Sequence, residues 1–236
     1  GKAHPGLISQ QLVSTIDLLP TIVTAAGGEV PDHVPGKDLS GVLNGQSEPI
    51  RHYLFGERNC DSADLHFPQR AIRDSRYKLI KTLLSDRPDP GAHKCLMNGA
   101  SNFRGSPTYE ELKTAEKTTQ VAYDTWLNPP EYQLYDLEED RHEFFNIASD
   151  PDMVEIRKRL IERLDRWQLD TDDRLRLPEL LTRLTKENDV CSRLEIRSPI
   201  GGWEYTEYLA PVIAIEAKPV GVPSTNGEIP NDGRDE

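Results

Sequence analysis

Met153, Ile156, Leu160, Leu164 and Trp167 recur at spacings of three, four, four and three, which puts five large apolar side chains on one face of a single helix. Such a helix persists only against an apolar surface. Asp150 is its expected N-cap and Pro151 its first residue. The surface it needs is offered by short runs rich in aromatic and β-branched residues: Tyr53-Leu54-Phe55, Ala71-Ile72-Arg73, Tyr77-Lys78-Leu79-Ile80, and Tyr132 to Leu137. Asp74-Ser75 joins the second and third runs tightly enough for a hairpin. The expectation is a small antiparallel sheet of about four strands packed on an amphipathic helix.

Other segments read as support for that frame. Near the start, Leu12-Val13 is a short strand-like run, and a helix follows with Asp17 as N-cap, Pro20 in the first turn and Gly27-Gly28 as the stop. Its residues Leu18, Leu19, Ile22, Val23 and Ala26 share a face that should be buried against something larger. Residues 29–51 read as a winding connection with one helical turn at Leu39 to Leu43, and residues 83–130 as a long irregular stretch. Within the latter, Ser106 or Thr108 caps a helix running through Glu110 to Lys113 toward Val121, and Tyr123 and Trp126 cover the edge of the sheet. A second helix is expected over roughly Pro178 to Glu187 with Leu180, Leu181 and Leu184 inward, then a strand at Val212 to Ile215 and a disordered Pro/Gly/Asn/Asp tail.

The 36% hydrophobic content over 236 residues, with a mean hydropathy of -0.62, implies a thin core and an incomplete domain whose missing half supplies packing surface. A start at Gly1 without Met is open to processing as well as to a fragment cut from a longer protein. The formal charge of -12 argues against nucleic acid and anionic membrane as partners. No run approaches the length of a membrane span, and no N-terminal signal segment is visible. Cys60, Cys95 and Cys191 are too few and too scattered for a disulfide framework or a zinc site.

Chemistry concentrates between the first two strands, where Glu57, Arg58, Asn59, Asp61, Asp64, His66 and Arg70 crowd one loop. Composition alone leaves two readings open, a solvated hairpin stapled by its own ion pairs or a binding loop on a rigid edge. No phosphate-binding glycine loop, H-E-x-x-H motif, EF-hand or nucleophile elbow is present.

Four stretches in order, VSTIDLLPTIVTAAG, GERN with DLH, RAIRDSRYKLI, and LYDLEEDRHEFFNIASDP, resemble the C-terminal part of the formylglycine-dependent sulfatases of the alkaline phosphatase superfamily. FPQRAI and SPTYEEL are most similar to the heparan N-sulfatase subgroup (N-sulfoglucosamine sulfohydrolase, sulfamidase) and its bacterial relatives. The resemblance covers residues 1–172. Arg141 stands where members commonly carry the proline of D-P-x-E.

This resemblance implies the C-terminal portion of an α/β fold, with residues 1–50 ending the large domain, 51–190 forming the C-terminal subdomain and 191–236 an irregular tail. It implies hydrolysis of a sulfate ester or sulfamate on a sulfated sugar, with Glu57, Asp64, His66 and Arg70 as substrate-binding wall. Glu57 and Asp64 would accept bonds from sugar hydroxyls or an amine, and His66 and Arg70 would lie near the sulfated end. Calcium and formylglycine would belong to the full-length enzyme. No cysteine here opens the C-x-P-S-R or C-x-A-S-R motif from which formylglycine is made, so this stretch alone is expected to be inactive, with no catalytic residue and no metal ligand. The setting implied is periplasmic or extracellular, lysosomal in an animal, and a homodimer stays open. A non-catalytic carbohydrate-binding or subunit-contact module, and a phosphoester or phosphonate hydrolase of the same superfamily, are the alternatives.

Overall fold

The computed structural model describes residues 3–59, 62–98 and 106–210. Four strands, β1 (Leu54–Arg58), β2 (Gln69–Arg73), β3 (Tyr77–Thr82) and β4 (Tyr132–Asp136), form one antiparallel sheet in sequence order. Phe55 pairs with Ile72, Ile72 with Leu79, and Leu79 with Leu134, so one apolar row crosses all four strands on a single face. Helix α6 (Val154–Asp170) lies over that row. Ile72, Leu79, Leu134, Leu160 and Leu164 are fully enclosed there, and Met153, Ile156 and Trp167 pack around them. Phe55 stacks on Trp167 with ring centroids 5.1 Å apart, which closes the end of the core beside the edge strand. Asp150 accepts the amide of Asp152 at 2.9 Å and starts the helical run through a 3-10 turn at Pro151–Met153.

Because strand side chains alternate, Arg70 emerges on the same face as Ile72, at the end of the sheet where α6 terminates. A 3-10 turn at Arg174–Arg176 then leads into α7 (Pro178–Leu194). That helix extends past the expected end at Glu187. Its inner stripe is Leu184, Thr185, Asn188 and Cys191, and half of that stripe is polar, which hides the period from a search for apolar residues. Residues 83–130, expected to be irregular apart from one capped helix, hold three helices among the described residues, α3 (Pro90–Asn98), α4 (Tyr109–Lys113) and α5 (Lys117–Leu127). Thr108 and Glu111 form a capping box at α4, and the chain breaks at Thr114 before α5 begins. Tyr123 and Trp126 meet edge to face at 5.8 Å on α5, which packs with α3 and α4 rather than on the sheet.

The N-terminal segment departs further from expectation. Leu12-Val13 forms no strand, and α1 (Leu18–Ala25) follows a 3-10 turn at Thr15–Asp17. The Asp17 side chain does not cap α1. It is buried and receives the amides of Ser14 at 2.7 Å and Lys37 at 2.8 Å, together with both terminal nitrogens of Arg51 at 2.6 and 2.5 Å. Burial by itself would raise its pKa, but the Arg51 guanidinium and the two amides hold it down at about 2. Gly36 is required by this packing, since a Cβ there would stand 2.1 Å from the Ile16 carbonyl oxygen. The short helices α2 (Ser40–Leu43) and α8 (Tyr205–Tyr208) complete the described elements. The expected strand at Val212 to Ile215 and the tail lie outside the described residues.

The apolar face of α1 has no cover from the described residues, and Ile22 is 64% exposed. Leu164→Ala should therefore cost about 2–5 kcal/mol in urea unfolding, whereas Ile22→Ala should stay within about 0.5 kcal/mol. Equal losses at the two positions would contradict this division between core and open face.

Candidate functional site

The loop between β1 and β2 is closed on itself by the Phe67 amide, which donates to the Asn59 carbonyl at 2.9 Å, with the Phe67 ring fully buried beneath. Three surrounding elements fix its side chains. Just before α3, Asp89 takes the Arg58 guanidinium at 2.5 and 3.2 Å and also accepts the Gly91 amide at the helix start. Lys94 on the same helix reaches Asp64 at 3.2 Å, and the Ser62 hydroxyl donates to the other oxygen of that carboxylate. From α7, Thr185 Oγ1 stands 3.4 Å from His66 Nε2.

The third support is the corner between α6 and α7. Arg70, only 1% exposed, donates from Nε and Nη2 to the two oxygens of Asp173 at 2.7 and 2.9 Å. Its Nη1 edge faces Asn59 Oδ1 and the Gln69 carbonyl, each at 2.9 Å. Gln168 Nε2 donates to the same Asp173 carboxylate at 2.7 Å. Glu57, the direct cross-strand neighbour of Arg70, keeps a loose 3.8 Å approach and is 57% exposed.

The four expected wall residues thus fall into two layers. Glu57 presents its carboxylate to the surface, Asp64 is 18% exposed with its two oxygens held by Lys94 and Ser62, and Arg70 and His66 lie buried behind them. The main partner of Arg70 is Asp173, 103 residues away, rather than a carboxylate within the hairpin. Neither Asp173 nor Gln168 could be found by reading the loop. The only local signal is the acidic Asp172-Asp173 pair leaving a helix, which names no distant partner. Asp61 and Cys60 lie outside the described residues.

Burial pushes the His66 imidazole down to about 4, with Arg87 adding to the shift and Asp189 opposing it. At neutral pH it is therefore uncharged. Burial would raise Asp64 and Asp173, but Ser62 and Lys94 in the first case and Arg70 and Gln168 in the second keep both below the ordinary carboxylate value. With Arg70 enclosed by acceptors and His66 neutral, the exposed acceptor that these four residues offer is the Glu57 carboxylate, suited to hydroxyl or ammonium groups.

Among the described residues no group of three or more His, Cys, Asp or Glu side chains is placed to hold a metal ion. Cys95 and Cys191 are buried, and burial raises the pKa of Cys191. The described residues fit neither a catalytic calcium nor a formylglycine nucleophile. No helix among them is long and apolar enough to cross a membrane. An open groove of about 450 Å³ lies apart from the loop, lined by Leu12, Gln46, Arg51 and His52 among others, and the Arg51 charge there is already taken by Asp17.

No family profile matches the chain. An ulvan-active sulfatase from Formosa agariphila is 31% identical over 170 residues, 69% of this chain and 30% of that protein. The human N-sulphoglucosamine sulphohydrolase is 27% identical over 189 residues, 72% of this chain and 35% of its own length. Among solved structures, a 2-O GAG sulfatase superposes with a TM-score of 0.51 at 22% identity, over 75% of this chain and 29% of that one, a likeness of fold. The chain spans about one third of the length of these curated relatives.

Because the folded-state pKa of His66 lies below its unfolded value of 6.5, the unfolded chain binds the extra proton first. The stability tied to a neutral His66 is whole above pH 6.5 and is lost as pH falls toward about 4, by up to roughly 3 kcal/mol. Urea unfolding of wild type and His66→Gln across that range should show the stability difference shifting against wild type as pH falls. A difference independent of pH would refute the buried neutral assignment.

Proposed function

We propose that this chain, whose homologues over about 70% of its length are sulfatases, is the C-terminal region of a hydrolase that removes sulfate from a sulfated sugar. Sulfatases are hydrolases, and the fold of the chain agrees with that of a sulfatase. The partial coverage of the relatives fits a C-terminal region, and the uncovered apolar face of α1 fits a larger domain packed against it. Residues 1–50 would then close the large domain and residues 51–190 form the subdomain beside the catalytic mouth, with the remainder as an appendage.

The observation that carries the reading is the layered loop. Glu57 and Asp64 would accept hydrogen bonds from sugar hydroxyls or from a glucosamine nitrogen, where charge-assisted bonds are strongest. His66 and Arg70 complete the wall from behind, setting the angle at which those carboxylates meet the sugar. Nucleophile, calcium and sulfate-binding cations would come from the part of the enzyme that this chain does not cover. The sugar would carry an N- or O-sulfate, with N-sulfoglucosamine favoured by the FPQRAI and SPTYEEL stretches. A periplasmic or extracellular setting, lysosomal in an animal, belongs to the same proposal and rests on the resemblance alone.

The test is sulfate release by the complete enzyme from glucosamine N-sulfate and from O-sulfated mono- and disaccharides, with phosphate and phosphonate esters alongside. Release from a sulfated sugar is expected, and none from residues 1–236 alone. Turnover confined to phosphate or phosphonate esters would overturn the reading. In the complete enzyme Glu57→Gln should lower kcat/KM by about tenfold or more. A change within about threefold, under roughly 0.7 kcal/mol, would remove the loop from the substrate pocket.

A further inference from the structure

Gln168 and Asp173 lie outside every motif that marks the loop, and both are withdrawn from solvent without serving the apolar core. Gln168 is 2% exposed and the Asp173 side chain 7%. An ion pair at that depth contributes little net stability, because removing both charges from water offsets their attraction. What it fixes is geometry.

The guanidinium is a rigid planar fork. With its Nε and Nη2 edge gripped by Asp173, the Nη1 edge of Arg70 has one direction left, and in that direction stand Asn59 Oδ1 and the Gln69 carbonyl. Asn59 is also the residue whose carbonyl closes the loop onto Phe67. Glu57 lies 3.8 Å from Nη2, so its carboxylate is drawn toward the same plane. The Asp173 carboxylate is itself held, by Gln168 Nε2 at 2.7 Å and by the Leu175 amide at 3.1 Å. A chain of bonds therefore runs from the corner between α6 and α7, through Arg70, to the two ends of the loop.

We propose that Asp173 is a positioning residue for the substrate loop, acting through Arg70 to set Asn59 and Glu57 against the sugar without touching it. Its consequence for turnover rests on the sulfated-sugar reading, whereas its hold on the loop does not. Both parts are tested with Asp173→Asn, and with Arg70→Met combined with Asp173→Leu, which removes both charges so that neither is left buried alone.

The first measurement is hydrogen exchange on residues 1–236. Protection of the Phe67 amide should fall by at least about tenfold in both variants while that of Leu79 and Ile80, on the interior strand β3, changes far less. Unchanged Phe67 protection, or an equal loss at all three amides, overturns the proposal whatever the enzyme does. The second is kinetics of the complete enzyme on the sulfated sugar it hydrolyses fastest. KM does not depend on how much of a preparation is folded, so a merely structural role would lower apparent kcat and leave KM alone. Positioning raises KM by about fivefold or more in the double variant. A KM within about twofold of wild type overturns it. Loss of Phe67 protection in an enzyme that hydrolyses no sulfated sugar would instead sustain the hold on the loop and sink the sulfatase reading.

Discussion

The buried pair between Arg70 and Asp173 joins distant parts of the chain at the end of the sheet, beyond the apolar core that packs β2 on α6. Arg70 belongs to β2, Asp173 to the exit of α6, and 103 residues separate them. A guanidinium with 1% exposure and a carboxylate with 7% are tolerable only when each finds several partners, and they do, in Asn59, Gln69, Gln168 and the Leu175 amide. The sheet, the long helix and the loop between β1 and β2 are thereby held as one unit at the end of the sheet where apolar packing has run out.

The rest of the frame follows from the apolar row across the sheet and the helix that covers it. Phe55, Ile72, Leu79 and Leu134 are cross-strand neighbours in sequence, and α6 supplies Leu160 and Leu164 from successive turns. Such a core is small, and the chain surrounds it with bidentate arginine pairs: Arg51 with Asp17, Arg58 with Asp89, Arg76 with Asp136. Each joins a strand or connection to a separate element, which is how a chain with 36% hydrophobic residues gives its loops fixed places. The open apolar face of α1 has no such partner among the described residues, and it marks the side on which the frame is unfinished.

The same frame explains the chemistry available to the loop. A histidine sunk against α7 and an arginine wrapped in acceptors cannot offer free charge, so of the four wall residues the Glu57 carboxylate is left to face outward. Reading those residues as charges in a row would give His66 and Arg70 the leading parts. Burial reverses the order.

From the sequence alone, the four strands and the helix from Asp150 were legible, because alternation and a spacing of three to four are local properties that survive without neighbours. The loop was legible as a cluster, and the resemblance of four ordered stretches pointed to the sulfatases. Of the helices of residues 83–130 the capped start at Thr108 was legible, whereas α3 and the break between α4 and α5 were not, and neither was the length of α7, whose inner face carries Thr185 and Asn188. Asp17 read as a helix cap because caps are local, yet its partners Lys37 and Arg51 lie 20 and 34 residues on. Only the tertiary structure decided which carboxylate each arginine takes and which of the loop's charges stay in water, because those choices depend on desolvation and on contacts between residues that sequence distance does not order.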